Sequence, residues 1–379
     1  MTFQLPQNPK DVRALLEERF GNPASDPMAP YERVDTAIRL KQPDRVPFDF
    51  WGVPETIQKL KAYLCVETDE QMLRLLGVDC RLVWPKYVGP PLEMLEDGTY
   101  YTVGGSHRRL VSNEYSTYEE YASFPLAGCK TADEVRSWDK WAHPEDFDWQ
   151  HIPAQIDLIN AGVPYHIRNE VGGIFESSWG VYGMDKFLTD LYDNPEVPCA
   201  ILDGFTDLLI ANFENLMKAA HNKIDLVYTY DDVAMQNGLL MSPRMWRKFI
   251  LPRHQRLNRV IKDHGVRIMY HSCGAIYPLI NELIDEMHID ILNPLQPRAK
   301  DMDMARIKRE FGDRIAFHGG VDLQQTLPFG TTQEVVDEVR SLCSVLGKSG
   351  GYICTSAHYI QADVPVENIA AMYLALREV

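Results

Sequence analysis

Eight short runs of apolar, β-branched and aromatic residues recur along the chain, most of them closing on a polar residue, glycine or proline. They are VPFDFW (46–51), CRLVWP (80–85), PYHIRNEV (164–171), DLVYTYDD (225–232), VRIMYHSC (266–273), DILNPLQ (290–296), IAFHGGV (315–321) and GYICTS (351–356). Runs of this length and composition read as buried strands. Between most of them lie helix-compatible segments, among them SPRMWRKFILPRHQRLNRVIKDHG, IYPLINELIDEM, MARIKREFG and TQEVVDEVRSLCSVL. Strand and helix alternating eight times predicts an α/β fold of the (β/α)8, TIM-type barrel class. A doubly wound open sheet would need a glycine-rich phosphate turn after its first strand, and VPFDFWGVPE is not one.

The largest interruption runs from about residue 86 to residue 161. It holds GTYYTVGGSHRRLVSNEY, which patterns like a hairpin, and an acidic, tryptophan-bearing stretch, ADEVRSWDKWAHPEDFDW. We expect an inserted hairpin or lid over the barrel mouth after the second strand, within a single domain spanning residues 1–379. No internal repeat, low-complexity tract or interdomain linker divides the chain.

Composition narrows the partners. Hydrophobic residues make up 45% of the 379 positions, ample for a large core. The formal net charge is −16 with a pI near 5.1, and no long lysine- and arginine-rich run offsets it, which argues against nucleic acid or an anionic membrane surface. Small molecules and proteins are the expected ligands. Seven scattered cysteines are unlike a secreted disulfide framework and fit a reducing cytoplasm. The N-terminal stretch MTFQLPQNPKDVRALLEERF lacks a signal-peptide apolar region, and no window approaches 18 unbroken apolar residues, so neither export nor membrane spanning is expected.

In α/β barrels the active site forms at the C-terminal ends of the strands. Here those ends carry Trp51, Asn169, Glu170, Asp231, Asp232, His271, Cys273, Asn293, Gln296 and His318, with Cys354 leading on to His358. The stretch HSCG (271–274) has three readings. Histidine and cysteine are both good zinc ligands, and a catalytic zinc takes about three protein ligands with one position open. A Cys/His nucleophilic pair is less apt, because side chains two apart on a strand project in parallel. The third reading is a buried strand end. Cys354 or His358 could complete a metal site, if the last strand continues far enough for Cys354, Ser356 and His358 to share a face. Of the adjacent Asp231 and Asp232, one should face the mouth and the other cap a turn or helix. Glu176, after two glycines in VGGIFESSWG, is a candidate general acid or fourth metal ligand. Trp51, Tyr230, Asp231, Asn293, Gln296 and His318 are the candidate substrate contacts, in a cavity lined by aromatic rings.

Five ordered blocks, YERVDTAIRLKQPDRVPFDF, DDVAMQNGLLMSP, HSCGAIYPLINELIDEMHIDILNPLQP, FGDRIAFHGGVDLQQTLPFGT and GGYICTSAHYIQADVPVENI, resemble the uroporphyrinogen decarboxylase superfamily, and within it the cobalamin-dependent methyltransferase branch. The resemblance runs from about residue 30 to the C-terminus. It implies a (β/α)8 barrel with its site at the C-terminal mouth. True decarboxylases of the superfamily carry an arginine-bearing RQAGRY block after the first strand; here FDFWGVPETIQKL stands in that place, so the partners for a tetra-carboxylate porphyrinogen are missing. The methyltransferase branch implies zinc on His271 and Cys273 and on a third ligand near the last strand, which falls on His358 rather than Cys354. It further implies a corrinoid (cobalamin) carried by a partner protein, since no DxHxxG corrinoid signature occurs in this chain. The expected reaction is demethylation of a small methoxylated, aromatic methyl donor, with Glu176 or Asp232 protonating the departing oxygen. Its rivals are methylation of a thiol of the coenzyme M type, a metal-free decarboxylation using Asp231 or Asp232, and a non-catalytic corrinoid-binding role.

Overall fold

The computed structural model describes residues 3–114 and 116–375. Seven parallel strands, β1 (Cys80–Leu82), β2 (His166–Gly173), β3 (Leu226–Tyr230), β4 (Arg267–His271), β5 (Ile291–Leu295), β6 (Ala316–Val321) and β7 (Tyr352–Ser356), follow one another in spatial order as in sequence. The eighth apolar run closes the curled sheet without becoming a laddered strand. Pro47 has no N–H to give a ladder, so residues 46–52 make only isolated bridges. Cys354 N donates to Pro47 O (2.9 Å) and Asp49 N to Cys354 O (3.1 Å) on one side; on the other, Asp79 N donates to Phe48 O (2.9 Å). The Asp79 carboxylate accepts from Phe48 N (2.8 Å) and pairs with Arg33 and Arg45, which pins this segment between β7 and β1.

Helices follow the strands and cover the outside of the sheet. The long helical run after β3 splits into Pro243–Phe249 and Leu251–Asp263, because Pro252 cannot donate into the first helix and fits the first turn of the second. Side chains of Ile307 and Phe311 on Met304–Phe311, and of Val335, Val339 and Leu346 on Thr332–Leu346, make the inward stripes that pack on the strands. A smaller cluster fills the barrel itself: Leu226, Met269, Ile291, Ala316 and Ile353 are all at most 1% exposed.

That interior layer places the site. Side chains two apart on a strand point the same way. One step further along each strand from Met269, Ile291 and Ala316 therefore comes His271, Asn293 and His318, and past Leu226 come Tyr228 and Tyr230. The ladders pair His271 with Tyr230 and with Asn293, so these polar side chains form one level above the apolar floor.

Between β1 and β2 the chain builds a three-stranded antiparallel sheet, Thr99–Tyr101, His107–Ser112 and Thr117–Ser123. It has one strand more than the hairpin its pattern suggests. Tyr121 packs on Trp179 (5.2 Å between rings) and against Gly180, where a Cβ would come within 2.8 Å of the tyrosine hydroxyl. The small sheet thus rests on Phe175–Tyr182, the helix that carries Glu176. Among the described residues no helix is long and apolar enough to cross a membrane.

Candidate active site at the barrel mouth

His271 is the last residue of β4, and Cys273 lies in the turn just beyond it. Gly274 makes that turn with φ +86°, and any Cβ there would meet Met235 O at 2.6 Å, so only glycine fits. The turn is held by two side chains: Asp232 Oδ1 accepts from Cys273 N and Gln296 Oε1 from Gly274 N, each at 2.6 Å. Cys273 Sγ then stands 3.4 Å from His271 Nε2. His358 comes from the turn after β7, and its ring lies 5.4 Å from that of His271. One ligand atom from each of His271, Cys273 and His358 falls within 4.8 Å of the other two.

β7 ends at Ser356, so Cys354, Ser356 and His358 do not share a strand face. Cys354 is fully buried in the layer between β7 and Thr332–Leu346, beside Cys343. His358 is exposed at the rim.

A chain of hydrogen bonds orients His271 from below. Asn293 Oδ1 can only accept, so His271 Nδ1 (2.6 Å away) carries the proton and Nε2 keeps its lone pair toward Cys273. Asn293 Nδ2 can only donate, so His318 Nδ1 (2.5 Å) accepts and His318 Nε2–H donates to Asp49 Oδ2 (3.0 Å). Asp49 also accepts from Trp51 Nε1 (2.8 Å) and pairs with Arg168 (2.9 Å). Burial alone would raise the Asp49 carboxyl, but Arg168, His318 and Trp51 more than offset it and hold it at about 2. Burial also lowers the imidazole of His271 to about 4 and pushes the Cys273 thiol well up, the latter helped by Asp232 and Glu176. Left to themselves both groups stay neutral. A thiolate at this position needs a cation, and the soft N/S donor set, with the Asp232 carboxylate 3.5 Å from His271 Nε2, is one a divalent metal fits.

Three carboxylates interlock beside these groups. Asp231 Oδ1 accepts from Glu176 N (2.9 Å), capping the helix Phe175–Tyr182 from the neighbouring strand, while Glu176 Oε1 accepts from Asp232 N (2.7 Å). Asp231 Oδ2 is 2.5 Å from His254 Nε2. Burial first, then the charges of Asp232 and Asp231, raise Glu176 to about 8. Glu170, on β2, is raised to about 7 by burial, against a downward pull from Arg168.

Tyr230, Asp232, Glu176, Gln296, Cys273 and His358 keep some exposure at the mouth, whereas Asp231, Asn293 and His318 are at most 1% exposed with their side chains bonded to protein groups. The last three, expected among the substrate contacts, have side chains bonded to Glu176 N and His254 (Asp231), to His271 and His318 (Asn293), and to Asn293 and Asp49 (His318). Trp51, 4% exposed, is a wall: its indole lies 5.0 Å from Tyr228, 5.2 Å from Tyr359 and nearly parallel to His271. Asp49, Arg168 and His254 escaped the sequence reading. Asp49 and Arg168 sit inside apolar runs, and a charged residue in such a run was the one signal available.

The family model for uroporphyrinogen decarboxylase (URO-D) matches residues 133–379. Uroporphyrinogen decarboxylase of Coxiella burnetii is 25% identical over 196 residues, and the chain spans about half the length of that relative, 49% of each sequence being aligned. The methylated-thiol–coenzyme M methyltransferase of Methanosarcina mazei is 23% identical over 280 residues, covering 67% of this chain and 69% of the relative. Among solved structures, a methyltransferase from Methanosarcina mazei superposes with a TM-score of 0.65 at 17% identity, over 93% of this chain and 99% of the other, and so shares the fold.

Proposed function

The chain belongs to the uroporphyrinogen decarboxylase family, and from that premise we propose that it removes the methyl group of a small methoxylated aromatic compound and passes it to the Co(I) corrinoid of a separate protein. The observation that carries this reading is the convergence of His271, Cys273 and His358 at an aromatic-walled barrel mouth. These three residues would hold Zn²⁺, which when bound supplies a Lewis acid for the oxygen of the methyl donor. The remaining work falls to the chain itself. Asn293 keeps His271 in the Nδ1–H form, Trp51 and the neighbouring tyrosines give the flat faces an arene stacks on, and protonated Glu176 delivers a proton to the departing phenolate oxygen.

Two results are expected. Asn293→Leu should weaken zinc binding about tenfold to hundredfold, as loss of a partner behind a ligand histidine does, measured by competition with a chromogenic chelator. An unchanged affinity would mean that His271 needs no such partner. Second, activity that uses protonated Glu176 should fall as pH rises through about 8. The groups facing Glu176 are Asp231, Asp232, Glu170, Tyr121, Tyr230, Tyr270 and Cys273, and the limb lies lower when a divalent cation is bound among them. Glu176→Gln should be slow at all pH values and lack this limb; a variant with the wild-type profile would remove Glu176 from the mechanism.

The Methanosarcina mazei relative favours a second reading, in which zinc-bound thiol receives the methyl group. The two separate in one anaerobic assay: methylation of a corrinoid protein by 2-methoxyphenol supports demethylation, and methylation of a thiol by methylcobalamin without activity on methoxyarenes supports the second.

A further inference from the structure

Glu170 is the one carboxylate of the mouth that takes no hydrogen bond or ion pair from any described residue, yet it is only partly exposed. It lies near the C-terminal end of β2, where the register against β3 shifts between Glu170 and Gly172. There it is paired with Tyr228 and acts electrostatically on Tyr228, Tyr230 and Tyr359. The rings form one continuous surface: Tyr228 is 5.6 Å from Tyr230 and 5.0 Å from Trp51, and Trp51 is 5.2 Å from Tyr359. That surface runs to the metal-ligand candidates, with Tyr228 5.7 Å from His271 and Tyr359 5.6 Å from His358.

The hydroxyls of Tyr228, Tyr230 and Tyr359 likewise have no hydrogen-bond partner among the described residues. These groups keep some exposure to the recess, so their hydrogen-bonding capacity is open to a bound molecule. Among the described residues the cation that acts on Glu170 is Arg168, whose guanidinium pairs with Asp49 at 2.9 Å and lies over the Trp51 ring at 4.7 Å. The Asp232 carboxylate adds negative charge on the same side. The recess therefore offers flat apolar faces, unused acceptors and a negative potential.

We propose that Glu170 selects the methyl donor, accepting a hydrogen bond from a ring hydroxyl and repelling arenes that carry a carboxylate. The inference rests on the demethylase reading and narrows it to hydroxylated, uncharged methoxyarenes. Glu170 is then a specificity residue that touches substrate through a group other than the methoxy oxygen whose bond breaks. Protonated Glu176, not Glu170, supplies the proton to the leaving oxygen.

The test is equilibrium binding to the metal-loaded protein, followed by calorimetry, of 2-methoxyphenol, methoxybenzene and 2-methoxybenzoate, with wild type, Glu170→Gln and Tyr359→Phe. Wild type should bind 2-methoxyphenol at least about tenfold more tightly than methoxybenzene, the scale of a hydrogen bond to a charged group. It should bind 2-methoxybenzoate most weakly. Glu170→Gln should lose most of the preference for the hydroxyl and bind the benzoate better, while Tyr359→Phe keeps the ranking. The proposal is overturned if the ranking survives Glu170→Gln, or if wild type prefers the benzoate. Should wild type bind none of the three, the demethylase reading fails and this inference with it, which distinguishes the two failures.

Discussion

Replacing Cys273 with serine is expected to lower methyl transfer to the corrinoid about a thousandfold or more, roughly 4 kcal/mol of lost transition-state stabilisation, while the protein stays folded. Cys273 lies past the end of β4 and is half-buried. Asp232 holds its backbone N–H, and that bond survives the change. What the hydroxyl cannot replace is the soft sulfur ligand facing His271 Nε2. His271→Ala should be equally inactive but less stable, because it strips Asn293 Oδ1 of its donor; a buried acceptor left unpaired costs about 1–3 kcal/mol. Corrinoid methylation followed by absorbance, beside a thermal melt, measures both. A Cys273→Ser variant with activity near wild type would reduce HSCG to a strand end.

The other large effect is on stability. Asp49→Asn is expected to destabilise the protein by about 3–5 kcal/mol, read from the midpoint of urea unfolding. Asp49 is 2% exposed and is the only described ion-pair partner of Arg168, whose Nε already lacks an acceptor. Neutralising the carboxylate leaves a guanidinium buried and unpaired inside the barrel. The same argument fixes the pH dependence. The folded carboxyl is held at about 2, below its unfolded value, so its contribution is complete above roughly pH 4 and is lost as pH falls through about 2. Loss of less than about 1 kcal/mol would show that Arg168 finds other partners. Activity should fall as well, since Asp49 anchors the His318–Asn293–His271 chain.

Much of this architecture was legible because strands have a period of two and barrels put chemistry at one end. Seven of the eight apolar runs became laddered strands, and the eighth closed the sheet through bridges once Pro47 removed its donor. HSCG stood out because polar residues ended an apolar run, and the parity that carries Met269 inward carries His271 inward too. The supports did not stand out. Asp49 and His318 are 269 positions apart, and nothing local in VPFDFW says that its aspartate meets a histidine and an arginine from other strands. Strand parity divides Asp231 and Asp232 as expected, Asp231 capping a helix, though one from the preceding unit, while the bond it makes to His254 is one the local pattern does not show. His358 reaches its place through a turn that begins once β7 stops at Ser356, a boundary the apolar pattern leaves open.

The central claim is that His271, Cys273 and His358 form one zinc site, and metal content by mass spectrometry on anaerobically purified protein tests it most directly. The account predicts about one zinc per chain in the wild type, lost in Cys273→Ser and lowered more by His358→Ala than by Cys354→Ala. No zinc in the wild type, or an undiminished content in Cys273→Ser, would contradict it.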